Sequence, residues 1–444
     1  MLISSHSRRE CTLAVSITAI FFLWSALMPA TLLAQQTEKT DTLKVSVAEA
    51  EKIFLEQNLP VLAERLNIDQ GEARILQAKA WPNPTFHLDG VQLYNTPNTD
   101  PSPGLLGTNF WRNRTFEAQL EQMVKLAGKR KKGIAFETRS KELAESSFTD
   151  FLLNLKAEFR QDLAELQYLQ SVAGDLLYQR QVVNDLIRGQ SAQYKQGNIS
   201  QSQLYRIKAL QIALESDLND LNEKITEKQQ SLKTAMALAP TTFIQVTGTD
   251  GEVAMKQLKQ YTLSRLIDIS LQHNASLKSA DREKKVNEAA LAVEKANAVP
   301  DLTFNVNYDR NGNNQLDFVG AGVAIDLPVF NRNKGNIRVA RYELQKSELM
   351  QKNKTNEVSN AVVKTWSDLN KAIDLYEGID KDYLQKLNEM TASLSLNFQQ
   401  KNVSLLEFLD FFESFKESRQ RYYEAVKNIT QKKEDLNYLA GQDL

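Results

Sequence analysis

The residues able to do chemistry are few and far apart. The 444-residue chain holds three histidines and one cysteine. His6 and Cys11 fall in an N-terminal leader, which leaves His87 and His273 isolated in sequence and without metal-ligand spacing. No Gly-rich phosphate loop and no nucleophile–base arrangement occurs, so no catalytic group, metal or cofactor is expected. Lysine and arginine (54) nearly cancel aspartate and glutamate (55), which gives no basic surface for a nucleic acid. The carboxylates of Glu407 and Asp410 are three residues apart and share one helix face. On their own they read as a solvated pair.

The elements that would position such groups are long helices. Glycine (17) and proline (10) are scarce for the length. Residues 1–34 read as a signal peptide: Arg8 and Arg9, an apolar stretch from Thr12 to Leu33, and small residues at Ala30 and Ala34, with cleavage expected after Ala34; the stretch is also long enough to serve as an uncleaved anchor. Residues 35–45 are expected to be a flexible segment. The remainder is a duplication. Tyr194-Lys-Gln-Gly-Asn-Ile-Ser200 matches Phe398-Gln-Gln-Lys-Asn-Val-Ser404, at an offset of 204 residues. Ala80-Trp-Pro-Asn-Pro-Thr-Phe86 resembles Ala298-Val-Pro-Asp-Leu-Thr-Phe304.

The two copies are placed at 46–240 and 260–440, with a linker at 241–259. Each is expected to hold a leading helix (Val47 to Lys79; Thr262 to Ala296), a strand pair and a helical hairpin. The strand pairs are placed at 84–94 with 115–126 and at 301–309 with 317–327; the hairpins at 129–237 and 333–439. Leu152, Leu155, Phe159, Leu163, Leu166, Leu169, Ala173 and Leu176 advance by threes and fours, a coiled-coil seam. Leu405, Phe408, Phe412, Phe415, Tyr422, Val426 and Ile429 do the same, with Arg419 interrupting. A helix of about 65 residues is about 100 Å long, more than a globular domain needs. The hairpins turn at Gly197-Asn198 and Lys401-Asn402, where Asn402 is the expected left-handed residue, and Ser200 and Ser404 suit N-caps.

The strands alternate. Leu302, Phe304, Val306 and Tyr308 share one face, against Thr303, Asn305, Asn307 and Asp309. Val319, Ala321, Val323, Ile325 and Leu327 form the apolar face of the partner strand, and His87 falls on a polar face of the first copy. Such strands suit a membrane barrel with a wet lumen, or a half-buried sheet; in an exported chain with helices this long the barrel is the expectation. Four strands cannot close a barrel, and open edges in lipid leave backbone groups unpaired, so the chain must oligomerise. Lys129, Arg130, Lys131, Lys132, Arg332, Lys334, Arg338 and Arg341 cluster where strands hand over to helices, suited to lipid phosphates or to solvent.

Trp81-Pro-Asn-Pro84, Asp326-Leu-Pro-Val-Phe-Asn331 and the two matched turns together resemble the TolC, or outer-membrane-factor, family over nearly the whole chain beyond the leader. The Trp-Pro-Asn-Pro element is similar to the CzcC-like heavy-metal branch. The resemblance implies a mainly helical fold: a periplasmic tunnel of antiparallel coiled coils, and four β-strands per chain in a trimeric twelve-stranded outer-membrane barrel. It implies a passive exit duct for metal cations or drugs, working with a periplasmic adaptor and an inner-membrane pump of the RND type. The docking tips would be Gln196, Gly197, Asn198, Ile199 and Ser200 with Lys401, Asn402, Val403 and Ser404. Glu407 and Asp410 match the family's acidic constriction. Its latch positions match Gln203, Phe398 and Val403, which are poor latch residues; Arg206, which aligns with Asp410 in the duplicated frame, is the expected gate partner. A periplasmic adaptor would instead show one hairpin with β-rich domains, and a purely structural coiled coil would lack two-faced strands.

Overall fold

The computed structural model describes residues 41–92, 115–248, 255, 258–310 and 317–444. The expected leader and the loop between the first two barrel strands lie outside them. The chain runs β1 (Thr42–Val45), α1 (Val47–Gln57), α2 (Leu59–Lys79), β2 (Thr85–Asp89), β3 (Phe116–Val124), α3 (Lys129–Lys195), α4 (Gln201–Ala235) and β4 (Phe243–Val246). The second copy gives α5 (Leu263–His273), α6 (Ala275–Asn297), β5 (Leu302–Arg310), β6 (Phe318–Ile325), α7 (Lys334–Glu377), α8 (Lys381–Gln399) and α9 (Leu405–Ala440).

The four long strands form one antiparallel sheet in the order β2-β3-β5-β6, so β3 and β5 join the two copies. The register keeps the alternation in phase across the sheet. Phe86 faces Leu120, Leu120 faces Val306, and Val306 faces Ala321; on the other surface His87 faces Gln119, Gln119 faces Asn307, and Asn307 faces Gly320. A slip of one residue would put the apolar set on the wrong face. Phe86, Leu120, Phe304, Val306, Val319 and Val323 are exposed in the protomer. On the polar surface a Cβ on Gly320 would stand 2.5 Å from Asn307 Oδ1, and one on Gly322 2.6 Å from Asn305 Oδ1, so the amides lie where β6 has no side chains.

The helical seams match the periodicity. Phe159, Leu163, Leu166, Leu169 and Leu176 are buried, and Leu152, Leu155 and Ala173 pack beside them. A single buried side chain of this kind contributes ~2 kcal/mol, so the stripe outweighs the weak amphipathicity of α3. Phe54 stacks on Phe159 with ring centroids 4.4 Å apart, which fixes α1 to α3.

Three expectations are corrected. The leading helices are not continuous. Asn58 breaks the first: its side chain accepts from Val61 N and donates to Ala235 O at the end of α4. Asn274 breaks the second in the same way, accepting from Leu277 N and donating to Leu439 O. Each asparagine caps the next helix and ties the leading helices to the hairpin's returning end. The second long helix is also interrupted, at 378–380 between α7 and α8. Finally, residues 42–45 are paired: β1 and β4 form a parallel clasp joining the expected flexible segment to the expected linker. Gln229 holds the clasp at Ile244, donating to its carbonyl at 2.6 Å and accepting from its N–H at 2.9 Å.

A charge cluster ties both copies together at this level. Arg160 of α3 pairs with Glu51 (2.7 Å), Glu434 (2.9 Å) and Asp443 (2.7 Å), and Lys156 pairs with Glu51 and Asp443. Burial opposes the Arg160 charge, but the hydrogen bonds it donates to its three carboxylate partners, with their charge, outweigh it and hold the guanidinium above its ordinary value. Burial alone would raise the Asp443 carboxyl; hydrogen bonding to Arg160 and the charges of Arg160 and Lys156 outweigh it and hold the carboxyl below the usual range.

Asn58→Ala strands the Ala235 carbonyl and the Val61 N–H, and a denaturant melt is expected to show a loss of ~1–3 kcal/mol. Arg160→Met leaves the buried Glu434 without its counter-charge and Glu51 with Lys156 alone, with an expected loss of about 3–5 kcal/mol. Because folding depresses the Asp443 pKa, its contribution is present above the unfolded carboxylate value of ~3.9 and is lost as pH falls through the lower folded value. Melts of Asp443→Asn against the parent should converge below that range and differ above it.

Candidate functional site

The two hairpin tips are built alike. At the first, Gly197 takes φ 77°, Asn198 N donates to Gln193 O at 2.9 Å, and Gly197 N donates to Tyr194 O at 3.0 Å. This pair of bonds closes α3 as a Schellman turn. At the second, Asn402 N donates to Asn397 O at 2.9 Å and Lys401 N to Phe398 O at 3.1 Å. The left-handed residue is therefore Lys401 (φ 62°), not Asn402. The turn type decides this: position 401 aligns with Gly197, and the Schellman geometry demands positive φ there whatever the side chain. Gln196, Gly197, Asn198, Ser200, Lys401, Asn402 and Ser404 are exposed, while Ile199 and Val403 are half-buried.

Both returning helices start with a capping box. Ser200 Oγ accepts from Gln203 N while Gln203 Oε1 accepts from Ser200 N, and Ser404 and Glu407 repeat the exchange. The hydrogen bond from the Ser404 backbone, then that from its side chain, holds the Glu407 carboxyl below its ordinary value. Glu407 and Asp410 are exposed on the face opposite Phe408 and Phe412, which are buried and stacked at 5.5 Å. Glu413 and Glu417 extend this exposed acidic stripe.

The expected latch positions serve other ends. Gln203 caps α4, Phe398 packs on Phe408 at 5.1 Å, and Val403 packs against the first copy's core. Among the described residues no ion pair joins Arg206 to Asp410 within the protomer; both side chains are exposed.

Where the sheet meets the helices, Lys129 pairs with Asp301 at 2.8 Å, and Arg130 donates to Lys79 O while lying 4.8 Å from the Trp81 ring centroid. These two fasten the strand–helix handover. Lys131, Arg332, Lys334, Arg338 and Arg341 remain exposed beside Leu327, Val329 and Phe330, whose side chains project into the open.

No protein-family model matches the chain. Over 295 residues it is 23% identical to the cobalt-zinc-cadmium resistance protein CzcC of Cupriavidus metallidurans; the match covers 66% of this chain and 65% of that protein, just under two thirds of its length. The solved CmeC outer membrane channel of Campylobacter jejuni matches 89% of this chain and 85% of its own, with TM-score 0.69 at 12% identity. The solved structure of CusC matches 89% and 92%, with TM-score 0.64 at 18% identity. The chain has the TolC-type outer-membrane channel fold.

Within this TolC-type fold, sequence reasoning passed over the ion pairs that join the copies. Arg419 of α9 meets Asp175 of α3 through two bonds, 2.9 and 3.1 Å, and also donates to the Tyr423 hydroxyl. Burial first, then the Asp175 charge, pushes the Tyr423 hydroxyl up to about 12. Lys416 reaches Asp217 of α4 at 3.0 Å, and Lys427 reaches Glu165 at 3.3 Å. The signal was present in one place: Arg419 occupies a seam position where the heptad expects an apolar residue.

Relieving the left-handed lysine tests the turn. Lys401→Gly is expected to stabilise the protein by about 1 kcal/mol, read as a rise in melting temperature, whereas Asn402→Gly should give no such gain.

Proposed function

We propose that three copies of this chain form an outer-membrane exit duct for efflux, with the strands in the bilayer and the helices in the periplasm. One observation carries this reading: among the described residues, the two-faced sheet ends in β2 and β6, each with a single neighbour. A sheet with an apolar outer face and bare edges is viable in lipid only if sister chains pair with those edges. Three chains supply twelve strands, enough to enclose a wet lumen.

The duct is passive; energy and choice of cargo come from an inner-membrane pump reached through a periplasmic adaptor at the hairpin tips. The Cupriavidus relative is a cobalt-zinc-cadmium resistance protein, which together with the acidic stripe on α9 supports metal cations as cargo. Three stripes about an axis form stacked carboxylate rings, which favour cations and repel anions. The exposed basic residues beside Phe330 suit phospholipid headgroups at the inner rim of the bilayer.

The test is purification in detergent followed by reconstitution. A trimer that conducts and prefers potassium over chloride is expected. Glu407→Gln keeps the capping box, as Gln203 shows in the first copy, and removes the charge. Combined with Asp410→Asn it should cut the cation preference several-fold while leaving the melting temperature in place. A protein that stays monomeric and soluble without detergent would sink the reading.

A further inference from the structure

The helices that lead into and out of the strands form a layer in the same order as the strands: α2 packs on α3, α3 on α6 and α6 on α7. α2 runs into β2 and α7 follows β6, so the free edges of the helical layer lie on the same two sides of the protomer as the free edges of the sheet. Within the protomer α2 buries Val61 and Gly71, and α7 buries Ser347 and Val358. Each edge helix also carries a second stripe that nothing covers. On α2 it is Leu59, Leu62, Leu66, Asp69, Ala73 and Leu76; on α7 it is Val339, Tyr342, Lys346 and Leu349. All are exposed, Leu76 at 73% and Leu349 at 66%.

Both stripes step by threes and fours, and in antiparallel order the steps coincide. Leu76 then meets Val339, Ala73 meets Tyr342, Asp69 meets Lys346, and Leu66 meets Leu349. Each layer is complementary: apolar on apolar, a small residue under a large ring, opposite charges, leucine on leucine. A shift of one heptad either way sets Lys346 against Leu76 or Leu62, and Asp69 against Asn353 or Val339. Among the described residues Asp69 has no ion pair, and Lys346 touches Glu343 of its own helix at 3.3 Å on an exposed face, a contact of little strength. One level of the layer runs through the Glu72–Lys141, Glu142–Arg282 and Asp281–Gln351 contacts. The matched register departs from that level by about eight residues, ~12 Å; across four helices spaced ~10 Å apart this is a tilt of about 17°, close to the ~20° at which coiled helices pack.

We propose that sister chains recognise each other in the helical layer, through an antiparallel seam of α2 on one chain and α7 on the next, in the register that pairs Asp69 with Lys346. This rests on the assembly reading above and adds where self-recognition resides. Strand edges discriminate poorly, because they offer backbone groups that every chain has; the seam offers side chains. A lone charge in an apolar seam is penalised and a matched one is tolerated, so the pair contributes alignment and partner choice more than affinity. A related chain without complementary charges at these two positions is kept out of the ring.

The experiment uses the full-length protein in detergent. Leu66→Cys with Leu349→Cys is expected to give covalent dimers and trimers on oxidation, whereas Leu66→Cys with Asn356→Cys, one heptad away, gives none. Residues 66 and 349 lie on opposite edges of the protomer's four-helix layer, too far apart for a disulfide within one chain, and beyond the leader the chain has no cysteine of its own. Lys346→Glu and Asp69→Lys should each lower the trimer fraction at least tenfold at limiting protein concentration, with helix content by circular dichroism unchanged, and the two together should restore it. If a reversed-charge chain does not fold, the cysteine pairs alone decide the register. An intact trimer that does not cross-link at 66 and 349, that cross-links through Asn356→Cys instead, or that forms equally with either charge reversed overturns the seam and leaves the duct standing. A parent protein that stays monomeric refutes both.

Discussion

Everything in this molecule answers to the hydrogen-bonding demand of two strand edges. A backbone N–H or carbonyl facing hydrocarbon costs several kcal/mol, roughly what a whole domain has to spare. The protomer satisfies β3 and β5 internally by placing one strand pair from each copy side by side. It cannot satisfy β2 and β6. The duplication is thus not ornamental: it doubles the strands each chain contributes and halves the number of edges per strand that other chains must cover. The long helices inherit the same arrangement: the first hairpin is held in register at its start by the Lys129–Asp301 and Arg130–Lys79 contacts, the second by Asn333 donating to Glu294.

Electrostatics in the helical part joins the two copies. Arg160, Lys427, Arg419 and Lys416 meet carboxylates across elements that are remote in sequence. Partly buried pairs of this kind add less net stability than apolar packing would, but they penalise misalignment severely when a partner is lost. Along the 67-residue α3, where apolar ridges could slide by a heptad, such pairs specify one alignment.

The sequence carried much of this openly. The duplication, the seams, the strand faces and the two tips follow from local periodicity and matched motifs, which single-residue chemistry enforces. What it hid was non-local or positional. Asn58 and Asn274 read as ordinary polar residues in a helical pattern; their role as caps depends on carbonyls 177 and 165 residues away. The four-residue clasp strands β1 and β4 are too short to show a period. Lys401 sits at positive φ because the turn needs it, against its own preference. The carboxylates at 407 and 410 were singled out by resemblance, not by any local signal beyond their shared helix face. Among the described residues Arg206 and Asp410 make no ion pair within the protomer: sharing a duplicated position does not by itself bring two side chains together.

The glycines of β6 have one further effect. Where Gly320 and Gly322 leave bare backbone, the amides of Asn305 and Asn307 can recline along the wall instead of standing up from it. Around a closed ring this would repeat in each sister chain, so the calibre of the passage would be set partly by methyl groups that are missing. The bore would be widened by omission, without adding a strand.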